Sequence, residues 1–167
     1  MKIPFFIKNI FETKTEGEES WGKVETAGNE LKKDVYGKLG RSLFIRLVDS
    51  GSCNACENEL SALSNPYYDL ERFGLKFVAS PKHADILFIT GCMTRNMLNP
   101  VLNAYNNIPE PKFVVTIGDC AGESSIFRES YAVMGPVSKR LSVVMHIDGC
   151  PPEPKTIISS LISLFRK

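Results

Sequence analysis

The sequence predicts an α/β fold: a flavodoxin-like, doubly wound parallel sheet of about five strands with helices on both faces, preceded by an extended N-terminal arm. Three observations carry this reading. Short apolar runs recur from residue 41 onward and alternate with segments of helical period, the pattern of strand–helix–strand units with right-handed crossovers. Some of those runs, Asp85-Ile-Leu-Phe-Ile-Thr90 above all, are apolar on both faces, as strands buried between two helical layers must be. Finally, each of the five cysteines follows one of these runs.

Taken in order, residues 1–40 stand apart. Phe5, Phe6, Ile7, Ile10 and Phe11 give a turn or two of amphipathic pattern. Glu12 to Gly40 is polar and punctuated by glycine, with no sustained period. The segment reads as an arm that lies on the surface, or whose aromatic start docks on a partner subunit or a membrane surface and becomes ordered there. The domain proper begins at Arg41. Ser42–Val48 is the first strand, and a helix starts near Asn54 and fades by Asn65-Pro66. Leu75–Ala79 alternates as a second strand and Asp85–Thr90 is the third. Asn96–Tyr105 has helical period, with Met97, Leu98, Val101, Leu102 and Tyr105 to one side. Lys112–Ile117 is the fourth strand, a further helix is expected over Glu123–Tyr131, and Ser142–Ile147 is the fifth strand. Pro151–Phe165 closes the chain as a helix, proline at its start being tolerated because that N–H has no intrahelical partner.

Composition narrows the function. With 20 Lys plus Arg against 19 Asp plus Glu, the net charge of +1 points to neither nucleic acid nor an acidic substrate. No apolar run approaches the roughly 20 residues that cross a bilayer, and Met1-Lys-Ile-Pro-Phe-Phe-Ile-Lys8 lacks the layout of a secretory signal. An odd number of cysteines without an export signal argues for metal ligation or redox chemistry over a disulfide framework.

On the predicted sheet, Cys53 and Cys56 follow the first strand, Cys92 the third, Cys120 the fourth and Cys150 the fifth. All five therefore gather at the carboxyl edge, where open α/β sheets bind their ligands. Gly91, Gly118 and Gly149 stand beside them and let backbone approach something bulky. A 4Fe–4S cluster fits: it takes four thiolates, often with proline after the last, as in Cys150-Pro151, and helix N-termini at this edge favour an anionic group. Position alone leaves Cys92 open as a ligand. Structural zinc is the weaker reading because only one close cysteine pair exists. A thioredoxin-like thiol–disulfide exchanger using Cys53 and Cys56 is the remaining alternative, and it leaves Cys120 and Cys150 without a role.

Gly51-Ser-Cys-Asn-Ala-Cys-Glu-Asn-Glu59, Ala84-Asp-Ile-Leu-Phe-Ile-Thr-Gly91, Thr94-Arg-Asn-Met97, Ile117-Gly-Asp-Cys120 and Gly149-Cys-Pro-Pro-Glu-Pro154 together resemble one family. It is the small subunit of membrane-bound, energy-converting nickel–iron hydrogenases and formate hydrogenlyases, similar to the 20 kDa subunit of respiratory complex I. The resemblance covers residues 41–167. It implies one proximal 4Fe–4S cluster on Cys53, Cys56, Cys120 and Cys150, with Cys92 an extra cysteine. It further implies a large catalytic partner subunit, a ferredoxin-like iron–sulfur subunit and membrane-arm subunits, at the cytoplasmic side of the membrane. The C-x-x-C spacing resembles the hydrogenase branch, since the complex I branch carries two adjacent cysteines. A complex I-like subunit serving a quinone or another acceptor, without nickel–iron, is the alternative. Glu59 matches an acid of the family motif and implies a proton route or an interface; Arg95 and Met97 imply contact with the large subunit. The chain departs from the pattern at Ala55, where hydrogenase relatives often have glycine, and at Ala121-Gly-Glu-Ser-Ser125, where they show more glycine. No side chain stands out as a nucleophile or acid–base pair, and His83 and His146, which lack ligand spacing, read as structural.

Overall fold

Five parallel strands form one sheet in the order β2-β1-β3-β4-β5 in a computed structural model that describes residues 16–166. The strands are β1 Leu43–Asp49, β2 Leu75–Phe77, β3 Ile86–Thr90, β4 Phe113–Ile117 and β5 Met145–Ile147. The helices are α1 Glu16–Leu39, α2 Ala55–Ala62, α3 Arg95–Asn106 and α4 Pro154–Arg166. This is the doubly wound order expected from the sequence. The reversal of strand order falls between β1 and β3, which pair from Ile45↔Ile86 to Asp49↔Thr90.

Alternation along the strands divides the core in two. On one face Leu43, Ile45, Phe88, Val115 and Ile117 pack against Leu31 and Val35 of α1, Leu60 of α2, and Ile157, Leu161 and Phe165 of α4. On the other, Leu87, Ile89 and Val114 meet Val101 of α3 with Val137 and Leu141 from the loop before β5. All five residues of β3 are buried, as a central strand between two layers requires. At the amino edge, Arg41 grips Asp85 through both guanidinium nitrogens (2.9 and 2.6 Å), and Asp85 also accepts the Phe44 N–H at 2.9 Å.

The structure departs from the sequence reading at several points. The stretch from residue 16 to 39 is a helix seated on α4 and held there by Arg166, which bonds Glu30 at 2.6 Å. Its apolar stripe is narrow, through Leu31 and Val35, and Gly28 lies against the Phe73 ring where a Cβ would collide. The apolar cluster Phe5–Phe11 lies outside the described residues. Glu123–Tyr131, expected as a helix, is a run of turns. Ser125 Oγ accepts the Phe127 N–H (3.2 Å) and Ser130 Oγ accepts that of Ala132 (3.3 Å), local bonds that compete with a helix. The run is instead pinned to the start of α3: Arg95 N donates to Ala132 O (2.8 Å) and Met134 N to Met93 O (2.7 Å). β2 and β5 are also shorter than expected, and α4 begins at Pro154 rather than Pro151. Among the described residues no helix is long and apolar enough to cross a membrane.

Candidate functional site

The cysteine-bearing turn after β1 is shaped by short polar side chains. Asp49 Oδ1 accepts the N–H groups of Gly51 (2.6 Å) and Ser52 (2.7 Å), closing the turn on itself. Asn54 then takes a left-handed conformation (φ 70°), which asparagine tolerates better than most residues, and leads into α2. Buried Ser50 ties this turn to the one after β3. Its hydroxyl donates to Thr90 O at 2.7 Å, and its carbonyl accepts the Thr94 hydroxyl at 3.0 Å.

Five sulfurs reach this edge, and none is in a disulfide. Cys53 and Cys150 are exposed, Cys120 is half-buried, and Cys56 and Cys92 are buried. Burial pushes the Cys56 thiol up to about 12, followed by the charge of Glu57 and then those of Cys120, Cys53 and Cys150. The Cys120 thiol is raised by burial, then by Cys150, Cys92 and Cys53, with Asp119 also contributing. Cys53, Cys120 and Cys150, which leave the ends of β1, β4 and β5, are thus close enough for their charges to reach Cys56, and Cys92 with Cys53 and Cys150 is close enough to reach Cys120.

Cys92 has a different setting. Its backbone N–H and its Sγ both approach Gly51 O, each at 3.3 Å, so this thiol donates to the loop that carries Cys53. Burial raises it, opposed by a backbone hydrogen bond. With Cys120 it lines a cavity of about 290 Å³ whose rim includes Glu123, Arg128 and Lys139.

Gly118 lies against Cys56. It has φ 85°, and a Cβ there would stand 2.5 Å from Cys56 Sγ. Bare backbone against the Cys56 sulfur leaves that thiol room to serve as a ligand. Among the described residues, no three His, Cys, Asp or Glu side chains converge as a single metal ion needs.

The other named residues sit around this edge. Glu59 is half-buried on α2; its charge, with that of Glu153, helps raise the Tyr68 hydroxyl, after burial and Tyr67. Arg95 is exposed and Met97 half-buried in the first turn of α3. His83 is exposed on a short 3-10 turn. His146 shares a hydrogen bond between Nδ1 and Thr116 Oγ1 (2.8 Å), and its Nε2 lies 3.2 Å from Asp148. Two acids gain parts that motif reading did not give them. Glu57 turns inward and accepts the Thr90 hydroxyl, while its Oε2 is buried with no hydrogen-bond partner. Asp119 Oδ1 accepts the Gly149 N–H at 2.7 Å. Both contacts are long-range, and only their position beside a cysteine hinted at them.

The chain as a whole is similar to several known proteins. Formate hydrogenlyase subunit 7 of Escherichia coli K12 is 44% identical over 131 residues, 78% of this chain but 51% of that protein. The chain thus spans about half the length of that relative. The probable membrane-bound hydrogenase subunit mbhJ of Pyrococcus furiosus is 42% identical over 77% of either chain. An NADH-quinone oxidoreductase subunit of Geobacter metallireducens is 39% identical over 65% of this chain and 64% of its own. Among solved structures, a chain of the membrane-bound sulfane sulfur reductase, an archaeal respiratory membrane complex, superposes with a TM-score of 0.67 at 27% identity, covering 91% of this chain and 75% of that one. The sequence pattern of one family spans residues 53–164, from the first cysteine into the last helix. The chain belongs to that family, the 20 Kd subunit of NADH ubiquinone oxidoreductase.

Proposed function

We propose that this chain is the electron-transfer subunit of a membrane-associated oxidoreductase complex and holds one 4Fe–4S cluster on Cys53, Cys56, Cys120 and Cys150. The observation that carries the reading is that four cysteines leave the ends of three strands at one edge of the sheet, with Cys56 against the bare backbone of Gly118. Cys56 and Cys120, whose ionisation burial and the neighbouring thiols oppose, need a cationic centre to be held as thiolates, and an iron–sulfur core provides it. When bound, such a cluster supplies a one-electron carrier. The chain's own residues fix the ligand loops, keep Cys56 away from water and leave Cys53 and Cys150 facing outward, where a partner can cover them.

The likeness to subunits of such complexes supports, as partners, a large catalytic subunit, a ferredoxin-like iron–sulfur subunit and membrane-arm subunits, with the chain placed by this proposal on the cytoplasmic side of the membrane. The C-x-x-C spacing and the likeness to formate hydrogenlyase subunit 7 and mbhJ support a nickel–iron hydrogenase, with proton reduction or hydrogen oxidation on the large subunit. A second reading, a quinone-linked complex without nickel–iron, is supported by the likeness to the NADH-quinone oxidoreductase of Geobacter metallireducens. Glu59, Arg95 and Met97 then belong to the contact with the large subunit or to a proton route beside it. Thiol–disulfide exchange through Cys53 and Cys56 is the weaker reading, because it leaves Cys120 and Cys150, which reach the same edge, without a role.

The test is the complex purified without oxygen. About four irons per copy of this chain and an electron paramagnetic resonance signal on reduction are expected. The cluster should be lost in Cys56→Ser and Cys120→Ser and kept in Cys92→Ser. Loss of iron in Cys92→Ser with retention in Cys120→Ser would reverse the ligand assignment. Nickel in the same preparation, with hydrogen evolution from a reduced carrier, decides for the hydrogenase; quinone reduction without nickel decides for the second reading.

A further inference from the structure

Cys120 and Cys150 leave adjacent strands, since β4 and β5 pair through Thr116↔His146 and Ile117↔Ile147. The pairing continues beyond the strands. Gly118 N donates to Ile147 O at 2.8 Å and Asp119 N donates to Gly149 O at 3.0 Å. The Asp119 side chain then turns back, and its Oδ1 accepts the Gly149 N–H at 2.7 Å. The residue before Cys120 thus holds both backbone polar groups of the residue before Cys150.

Gly149 needs such a hold. Its φ is 134°, and a Cβ there would stand 2.6 Å from Pro152 Cα, so no other residue fits. A glycine is also the freest link in a chain. Without the side-chain bond, the turn into Cys150 would be fixed by a single backbone bond from Asp119. The carboxylate brings a second effect, because it places a negative charge one residue from Cys120.

We infer that Asp119 is a positioning residue whose bond to the Gly149 amide sets the separation of the Cys120 and Cys150 sulfurs. This rests on the cluster reading above. It acts in two separable ways. The acceptor oxygen fixes geometry, and the negative charge beside the ligands favours the oxidised state. Asparagine keeps the first and removes the second, whereas alanine removes both.

The experiment compares Asp119→Ala and Asp119→Asn in the assembled, full-length complex. In Asp119→Ala, the cluster bleaches about tenfold faster under an iron chelator, the scale of one lost charge-assisted hydrogen bond. Its resonance spectrum broadens, and hydrogen–deuterium exchange quickens in the peptide that spans Gly149. In Asp119→Asn, bleaching, line shape and exchange return to wild type while the reduction potential lies above the wild-type value. Wild-type bleaching and exchange in Asp119→Ala would overturn the assignment, as would failure of Asp119→Asn to rescue them. If the wild-type chain carries no iron, it is the cluster reading that fails, and the exchange measurement still decides whether the clasp exists.

Discussion

At the scale of single residues, the site is built as much by absent side chains as by thiols. Gly118 and Gly135 both have positive φ, at 85° and 91°. Their surroundings differ: a Cβ at Gly118 would meet Cys56 Sγ at 2.5 Å, whereas at Gly135 the nearest atoms are the far end of the Lys139 side chain, at 3.5 Å. Gly118→Ala and Gly135→Ala should therefore share a conformational penalty of about 1–3 kcal/mol in chemical denaturation. Gly118→Ala alone should also lose its iron, because the Cys56 sulfur has to move. Equal iron retention in the two variants would mean that Gly118 is a turn residue and no cradle. A second residue-scale prediction concerns Thr90. Its hydroxyl donates to one oxygen of Glu57, whose other oxygen is buried without a partner. Thr90→Val removes that donor, and the loss of an inward-facing carboxylate's bond should cost about 1–3 kcal/mol, measured as a shift of the urea midpoint.

Among the elements, α1 changes most between sequence and structure. Leu31 and Val35 are fully buried against the sheet-facing core. Leu31→Ala should cost about 2–5 kcal/mol, and deleting residues 1–40 should leave a domain that aggregates or unfolds, judged by circular dichroism and gel filtration. A truncated domain with wild-type stability would show that the segment is the surface arm its composition suggests. The reason that α1 is not legible is physical. Its buried stripe is one residue wide, and charged neighbours and Gly28 interrupt it; Gly28, which reads as a breaker, is what admits the Phe73 ring. The reverse holds at 123–131. Ile126, Phe127 and Tyr131 turn to no core, since all three are exposed, and serine hydroxyls hold the backbone in turns. The centre of the sheet is legible because β3 and β4 are buried on both faces and thus declare themselves in any short window. The cysteines are placed by the same logic, since the end of a parallel strand fixes an edge. The Asp119–Gly149 and Thr90–Glu57 bonds join residues 30 and 33 positions apart, and no local pattern encodes them.

For the whole molecule, the arrangement of exposed apolar surface bears on the proposed complex. The run of turns that begins beyond Cys120 presents Ile126 at 84% and Tyr131 at 85% exposure, with Phe127 half out of the surface. It adjoins the cavity floored by Cys92 and Cys120, at the same edge as exposed Cys53 and Cys150. Exposed apolar clusters of this kind mark interaction sites, and a redox centre behind such an edge needs cover from oxygen and closeness to the next carrier. Replacing Ile126, Phe127 and Tyr131 together with serine should leave the isolated chain folded, within about 0.5 kcal/mol of wild type, because exposed side chains contribute little to stability. In cells the same variant should no longer co-purify with the large subunit, and its iron should be lost faster in air. Two results would sink this. Full assembly of the triple variant would place the partner elsewhere, and a chain that unfolds would show that these side chains serve the fold.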